Sequence, residues 1–308
     1  MHSVDDQGLQ TTLGRAFPGA TVQAWSRLNG GVSSRATRAD IVLPNGSTRS
    51  VVVRRPSHAT REGAIALVRR ERRLLEHCVR HGLSAPVPHF VDERSAAIVL
   101  SWLPGAPDFQ SNAGPLVAQL AAKLHRIHSV PTSGLEFLPP RRESADVLVT
   151  SDPAQPDATL DEPQLHAVVR SLWPWPAHNP DVLLHGDYWP GNVLFDEGRL
   201  SAVIDWEESE LGDPLSDLAI ARLDITWAFG AEAAEEFTER YRALTDRDFR
   251  NLPRWDLLTA LRSRGALERW SASYECPPIS RPDITAETMA RGRRAFVQQA
   301  LERLGLTA

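Results

Sequence analysis

The chain has 308 residues, of which 42% are hydrophobic and 24% are charged, and its formal net charge is −5. These values are ordinary for a soluble globular protein and exclude a disordered chain, a collagen and a coiled coil. The length predicts two domains or two lobes, at roughly 100–200 residues for each.

The two cysteines, Cys78 and Cys276, lie far apart and lack metal-binding spacing. The sequence therefore predicts neither a disulfide framework nor a structural zinc site. The first residues lack the basic and apolar pattern of a leader, and no later stretch approaches the ~20 apolar residues that span a bilayer. We expect a cytoplasmic protein without a membrane partner.

Charge is distributed unevenly along the chain. Residues 1–100 carry 14 arginines against 8 acids, whereas residues 101–308 carry 20 basic residues against 31 acids. An arginine-rich first part suits a polyanion such as a nucleotide, and an acidic second part attracts cations and repels nucleic acid. An ordinary solvated surface gives the same asymmetry, so this pattern alone does not define a function.

The first hundred residues alternate short apolar runs with turn signals, which predicts a small antiparallel sheet. The turns are Asn29-Gly30-Gly31 and Asn45-Gly46, and a helix over 61–81 precedes Gly82. The predicted strands are 22–28, 35–42, 50–54, 87–92 and 96–102.

Helical patterns dominate after Trp102, where Leu103-Pro104-Gly105 interrupts regular structure. We place the domain boundary here, with an N-terminal nucleotide-binding lobe at 1–102 and a C-terminal catalytic and acceptor-binding lobe at 103–308. A hairpin, 193–195 with 200–204, interrupts the helices, and segment 138–156 reads as a connecting loop. The predicted helices are 115–129, 165–172, 214–229, 231–244, 253–273 and 283–304.

The most informative motif is His185-Gly186-Asp187, followed by Asn192 and then by Asp205 after the hairpin. Pairing of the hairpin strands can bring Asn192 and Asp205 together as oxygen ligands for a hard divalent cation. Asp187 is then available to accept a proton from a hydroxyl. The alternative is that these residues only cap turns, which explains each one singly but not their combined spacing.

This spacing is similar to the H-R-D-x-x-x-x-N loop and the later metal-binding Asp of protein kinases. Because glycine follows the histidine, the motif most resembles the aminoglycoside phosphotransferase and choline kinase family. The resemblance implies an α+β, bilobal protein-kinase-like fold and transfer of the γ-phosphoryl group of ATP or GTP to a hydroxyl. It also implies that Asp187 is the catalytic base, that Asn192 and Asp205 bind Mg²⁺, and that His185 supports the loop.

The family motif continues with Asp213 and Asp217. We interpret Asp213 as the N-cap of a helix that opens at Pro214, and Asp217 as structural.

A kinase-like site needs cations for the phosphates, yet Lys123, the only lysine, lies in a predicted helix of the second lobe. Arg54 follows Val51-Val52-Val53 where the kinase strand lysine would stand, and arginine keeps the charge. Glu71 lies within the apolar stripe of helix 61–81, which predicts an ion pair with Arg54. The alternative is a partly exposed acid at the edge of the stripe.

Two further segments are assigned to the nucleotide by the resemblance. The turn with Gly30, Gly31, Ser33 and Ser34 stands where a kinase covers the phosphates, although any hairpin can use such a turn. Ser101-Trp102-Leu103 is the expected hinge, whose backbone meets the adenine edge. Trp102 either lines the nucleotide or packs in the core.

The acceptor is expected to be a hydroxylated small molecule, and the first hypothesis is an aminoglycoside or another antibiotic. Four acids form a predicted negative rim that fits a cationic acceptor: Glu207, Glu208, Glu210 and Asp224. The alternatives are a kinase acting on choline, homoserine or a sugar, and a catalytically silent nucleotide-binding protein. The sequence indicates neither the acceptor's identity nor the oligomeric state.

Overall fold

The computed structural model describes residues 4–28, 34–57, 59–152 and 161–306. The chain divides into two compact units. The first comprises Met1–Gly105 together with Ala202–Glu207, and the second comprises Ala106–Ser201 together with Glu208–Ala308. Residues 202–207 thus pack with a unit from which they are distant in sequence.

A five-stranded antiparallel sheet forms the first unit, in the order β1-β2-β3-β5-β4. β-Branched residues such as Val51 and Val53 are fully buried in the sheet and favour the extended backbone. All five strands predicted from the alternating pattern are present. They are β1 Thr21–Leu28, β2 Ser34–Val42, β3 Thr48–Pro56, β4 Pro88–Asp92 and β5 Ala97–Ser101.

Two helices accompany this sheet, α1 Val4–Ala16 and α2 Arg61–Arg80. The side chain of Thr60 caps α2 by accepting a hydrogen bond from the backbone N–H of Gly63. The sequence predicted α2 but not α1. Helix α1 has only a weak apolar stripe, and it is stabilised by packing Leu9 and Leu13 into the core of the sheet.

The second unit is mainly helical and also contains short strands. Strands β6 and β9 pair antiparallel, and β7 pairs with β8 as the predicted hairpin. The helices are α3 Ala113–His128, α4 Arg141–Thr150, α5 Glu162–Leu172, α6 Leu215–Phe229, α7 Ala231–Arg242, α8 Leu252–Arg262, α9 Leu267–Glu275 and α10 Ala286–Arg303. The strands are β6 Val182–Leu184, β7 Val193–Asp196, β8 Arg199–Val203 and β9 Glu210–Gly212.

Two predicted segments of this unit were wrong. The segment 138–156 is not a loop throughout, because α4 begins directly after Pro140, and proline is tolerated at a helix start where no N–H partner is needed. The predicted helix 253–273 is two helices, α8 and α9. The chain turns between them, and Gly265 adopts a φ of +63°, outside the helical region.

The predicted α+β class is confirmed: one unit is built on an antiparallel sheet and the other mainly on helices. None of the helices within the described ranges is both long and apolar enough to span a bilayer.

Candidate active site

Arg54 lies on β3 in the first unit and is 8% exposed. Its Nη2 atom is 2.5 Å from Oε2 of Glu71, which is 6% exposed on α2, so the predicted ion pair is present. Val51 and Val53 are buried in the sheet, and the helix stripe around Glu71 is apolar. A charge at either position therefore requires a partner.

Asp205 and Glu207 also bind Arg54, which the sequence did not predict. Nη1 of Arg54 is 2.8 Å from Oδ1 of Asp205 and 2.7 Å from Oε2 of Glu207. Burial alone would lower the pKa of Arg54, but the three carboxylates outweigh it and the pKa lies above its usual value. With Glu71, this cluster holds two more negative charges than positive ones.

Asp205 has a φ of +64°, a left-handed conformation that Asp tolerates better than most residues. Such backbone strain occurs preferentially where a structure holds a functional side chain. Asp205 belongs to the first unit, whereas Asn192 belongs to the second.

In the second unit, β6 leads into the segment 185–192, called the HGD loop here. Asp217 on α6 is fully buried, and its two carboxylate oxygens accept the N–H groups of His185 and Gly186 at 2.7 and 2.9 Å. Burial opposes the charge of Asp217, but the hydrogen bond and charge of His128 keep its pKa below the usual value. Two successive N–H groups of the loop are thus fixed by one carboxylate.

Gly186 is required by this geometry. Its φ is +82°, and a Cβ atom there would lie 1.9 Å from the carbonyl oxygen of Glu208. A side chain at this position is excluded both by the backbone conformation and by the close approach of the segment before β9.

Asp187 and Asn192 contact each other within the HGD loop. The Nδ2 atom of Asn192 donates to the carbonyl oxygen of Asp187 at 2.9 Å and to its Oδ2 at 3.1 Å. The backbone N–H of Asp187 donates to Nδ1 of His185 at 3.3 Å. The side chain of Asp187 remains 35% exposed, so its carboxylate is held in place and still accessible.

The four acids predicted to form a rim lie in different environments. Glu207 is bound to Arg54, and Glu210 is buried and paired with Arg141 at 3.1 Å. Glu208 is 54% exposed and contacts Arg262. Of the four, only Glu208 is exposed, whereas Asp224 is partly buried.

Asp224 is half-buried on α6, and its Oδ1 atom accepts a hydrogen bond from the Tyr274 hydroxyl at 2.9 Å. Burial and the charge of Asp187 raise the pKa of Asp224 to about 7. Tyr274 also packs against Trp189 of the HGD loop, with ring centroids 5.5 Å apart. Aromatic side chains and acids thus adjoin the loop that carries Asp187.

The predicted nucleotide segments are placed only in part. Gly30, Gly31 and Ser33 lie outside the described residues, whereas Ser34 opens β2 and is within 3.5 Å of Nη1 of Arg54. Ser101 ends β5 and pairs with Val87 through its backbone N–H, and the N–H of Trp102 donates to Ser50. Leu103 follows β5 directly, and the Trp102 ring packs against the guanidinium of Arg38 at 4.5 Å.

The model of a protein family described as the phosphotransferase enzyme family matches residues 25–258 of this chain. The matched range includes both Arg54 and the HGD loop. The chain belongs to the phosphotransferase enzyme family. The resemblance inferred from the HGD motif is therefore confirmed, and with it the prediction that the chain is a phosphotransferase of the small-molecule kinase type.

Two curated proteins illustrate the range of this phosphotransferase family. An aminoglycoside 3'-phosphotransferase of Streptomyces fradiae is 32% identical over 193 residues, which are 55% of this chain and 70% of that protein. A homoserine kinase of Granulibacter bethesdensis is 27% identical over 54% of this chain and 55% of its own length. The match thus spans only about half of the homoserine kinase.

A solved structure supports the predicted kinase-like fold of the phosphotransferase. It is a thermostable mutant of an aminoglycoside phosphotransferase, in ternary complex with ADP and hygromycin B. The TM-score is 0.62 at 20% identity, and the alignment covers 94% of this chain and 98% of that one.

Sequence reasoning missed two residues of this candidate site, Arg262 and Tyr274. Asp217 was interpreted as structural, and in the structure it is buried and holds the HGD loop. The helical position of Asp217, two turns before Asp224, could have indicated that both face the loop. No local signal marks Arg262 or Tyr274, because only packing of distant helices brings them to Asp187 and Asp224.

Proposed function

We propose that this phosphotransferase transfers the γ-phosphoryl group of ATP or GTP to a hydroxyl of a small molecule. The observation that carries the proposal is the state of Asp187. Its carboxylate is fixed by Asn192, stands on a loop held by Asp217, and is still 35% exposed. A fixed and accessible carboxylate is what a hydroxyl acceptor requires of a general base.

Asp187 accepts the proton of the acceptor hydroxyl, or orients that hydroxyl for attack on the phosphoryl group. Phosphoryl transfer needs little covalent chemistry from the protein, so positioning and charge neutralisation provide most of the rate. Asn192 restricts the rotation of Asp187, and the fixed backbone of His185 and Gly186 restricts the loop.

The residues proposed for Mg²⁺ suit a hard cation. Asn192 directs its amide nitrogen at Asp187, so its amide oxygen faces the other way. Asp205 stands in a cluster with excess negative charge, which a divalent cation would neutralise. Asn192 and Asp205 would hold the ion, which would neutralise phosphate charge when bound.

The nucleotide phosphates are assigned to the first unit, where Arg54 supplies the cation. Its Nη1 atom is already close to Ser34, and Glu71 holds the guanidinium from the helix side. The family resemblance implies that the turn with Gly30, Gly31 and Ser33, which lies outside the described residues, would cover the phosphates, and that Ser101, Trp102 and Leu103 would face the adenine.

The leading acceptor class is an aminoglycoside or another cationic antibiotic. The Streptomyces fradiae relative is an aminoglycoside 3'-phosphotransferase. In this chain, Glu208 is exposed, and Asp224 stands beside Asp187 with a pKa of about 7. An ammonium group near Asp224 would lower that pKa and favour the ionised carboxylate.

A metabolite kinase is the second candidate, and Arg262 favours it. Its Nη2 atom is 3.6 Å from Oδ1 of Asp187, so a cation would lie near a hydroxyl bound to Asp187. An amino acid alcohol such as homoserine carries a carboxylate, which suits Arg262, as well as an ammonium group. The Granulibacter bethesdensis relative is a homoserine kinase.

The test is transfer from labelled ATP and GTP, with Mg²⁺, to a panel of aminoglycosides, macrolides, peptide antibiotics, choline and homoserine. We expect one acceptor class to be phosphorylated and Asp187→Asn to lose at least about 100-fold in turnover. Asp196→Asn is the matched control, because Asp196 is exposed at the end of β7 and should leave turnover unchanged.

Mass spectrometry of the product locates the phosphate. A product restricted to choline or homoserine would replace the antibiotic assignment and leave the phosphotransferase reaction intact. Equal absence of turnover in the wild type and in Asp187→Asn would favour a silent nucleotide-binding protein instead.

A further inference from the structure

Arg262 is the last residue of α8, and its position depends on the break between α8 and α9. The chain leaves the helix at Ser263 and turns through Gly265. A helix C-terminus carries a partial negative charge that favours a cation. Arg262 therefore lies at a helix end instead of in the middle of one continuous helix.

The guanidinium of Arg262 uses one nitrogen for its contacts with carboxylates. Nη2 is 3.1 Å from Oε2 of Glu208 and 3.6 Å from Oδ1 of Asp187. Within the part of the chain that the structure describes, Nε and Nη1 have no hydrogen-bond partner. The side chain is 18% exposed, so these two donors are accessible to a small ligand.

The charges around Arg262 keep it cationic without covering it. Burial alone would lower the pKa of Arg262, but the surrounding carboxylates raise it above the usual value. Burial and then the charge of Arg262 lower the pKa of Arg141, which is paired with Glu210 at 3.1 Å. The acids that act on Arg262 are Glu208, Asp187, Asp224 and Asp217.

We propose that Arg262 binds an oxyanion in the acceptor region through Nε or Nη1, while Nη2 holds Glu208 and lies near Asp187. This inference rests on the proposed phosphotransferase function and adds a residue to it. The planar guanidinium holds Nε–H and Nη1–H in fixed, different directions, so each donates to a separate oxygen, whereas the ammonium of a lysine keeps the charge without these fixed donor positions. The oxyanion is either a carboxylate of the acceptor or an oxygen of the transferring phosphoryl group.

The two sources are separated by comparing Arg262→Gln and Arg262→Lys with the wild type. The binding arm uses calorimetry with homoserine and with 3-aminopropan-1-ol, which is the same amine alcohol without the carboxylate. The kinetic arm measures nucleotide hydrolysis and transfer to the best acceptor of the panel. Arg254→Gln is the control, because it removes the same charge from the first turn of α8.

If the acceptor carboxylate is the ligand, homoserine binds the wild type about 10- to 100-fold more tightly than 3-aminopropan-1-ol, and Arg262→Gln abolishes this preference. If the phosphoryl group is the ligand, Arg262→Gln lowers kcat by a similar factor for hydrolysis and for transfer. The nucleotide KM stays unchanged, and Arg262→Lys recovers part of the loss. Arg254→Gln has neither effect.

The proposal is overturned if Arg262→Gln changes neither the preference for homoserine nor kcat, or if Arg254→Gln reproduces its effects. If the wild type shows no turnover with any acceptor or with water, the proposed function fails. The calorimetric comparison then decides the role of Arg262 by itself, and absence of a preference for homoserine refutes it.

Discussion

Replacing Arg54 by methionine should destabilise the first unit mainly through the charge that it leaves behind. Glu71 is 6% exposed and pairs with Arg54, whereas Asp205 and Glu207 are 34% and 18% exposed at their side chains and can be hydrated more easily. An orphaned buried carboxylate costs about 3–5 kcal/mol. We expect Arg54→Met to lower the free energy of unfolding by this amount, whereas Glu71→Leu should cost less because Asp205 and Glu207 still pair with the guanidinium.

The double variant Arg54→Met/Glu71→Leu removes both buried charges. Its remaining cost comes from Asp205 and Glu207, which lose their contact with Arg54 but are partly exposed and can be hydrated, so each loss should cost about 1 kcal/mol. The double variant should therefore be more stable than Arg54→Met, with a coupling energy of more than about 2 kcal/mol.

The assay is urea unfolding of the full chain, combined with hydrogen exchange of the peptide that covers β3. The exchange measurement reports on the first unit specifically, which matters because the chain has two units. Arg54→Lys is the control that keeps the charge, and it should cost less than Arg54→Met. If the effects of the two single variants are additive, the assignment of the cost to a buried unpaired charge is refuted.

Three further predictions concern the second unit. Gly186→Ala should abolish turnover and lower Tm because its Cβ would overlap the Glu208 carbonyl. Gly198→Ala, at a φ of +75° with nothing within 4 Å, should cost only about 1–2 kcal/mol, and equal Tm values for the two variants would contradict this. The raised pKa of Asp224 makes its contribution to stability largest below pH 4 and lost as the pH rises through about 7. Asp224→Asn should therefore gain urea stability relative to the wild type at pH 8 but not at pH 4, and a pH-independent difference would disprove the raised pKa. Asp217→Asn loses at least one charged hydrogen bond to the HGD loop, so we expect a loss of about 1.5–3 kcal/mol in unfolding and at least about tenfold in kcat. Unchanged kinetics would show that this carboxylate does not position the loop.

Local pattern was sufficient wherever the evidence for an element lies within a few residues. The five strands follow from period-two alternation between turn signals, and α2 follows from its apolar stripe and the stop at Gly82. The same stripe was sufficient to pair Glu71 with Arg54, because a carboxylate among apolar neighbours requires a cation. The HGD motif identified the family for a similar reason, since its spacing lies within one loop.

Local pattern failed where packing of distant segments decides. Helix α1 has few apolar residues of its own and is stabilised by packing against the sheet. Helix α4 begins directly after prolines, which in the sequence predicted a loop. The sequence around Gly265 has a helical pattern, and only the structure shows that the chain turns there between α8 and α9. Each of these depends on contacts made after the chain has folded, which propensity alone cannot report.

The sequence by itself determined the class of the fold, the family and the identity of the acid, amide and arginine side chains that carry the proposed chemistry. Tertiary structure alone decided the partners of those side chains. Asp205 and Glu207 meet Arg54, and Asp187 meets Arg262, across more than 70 residues in each case. Charge pairing of this kind depends on where separate elements pack, and the spacing of residues along the chain does not encode it.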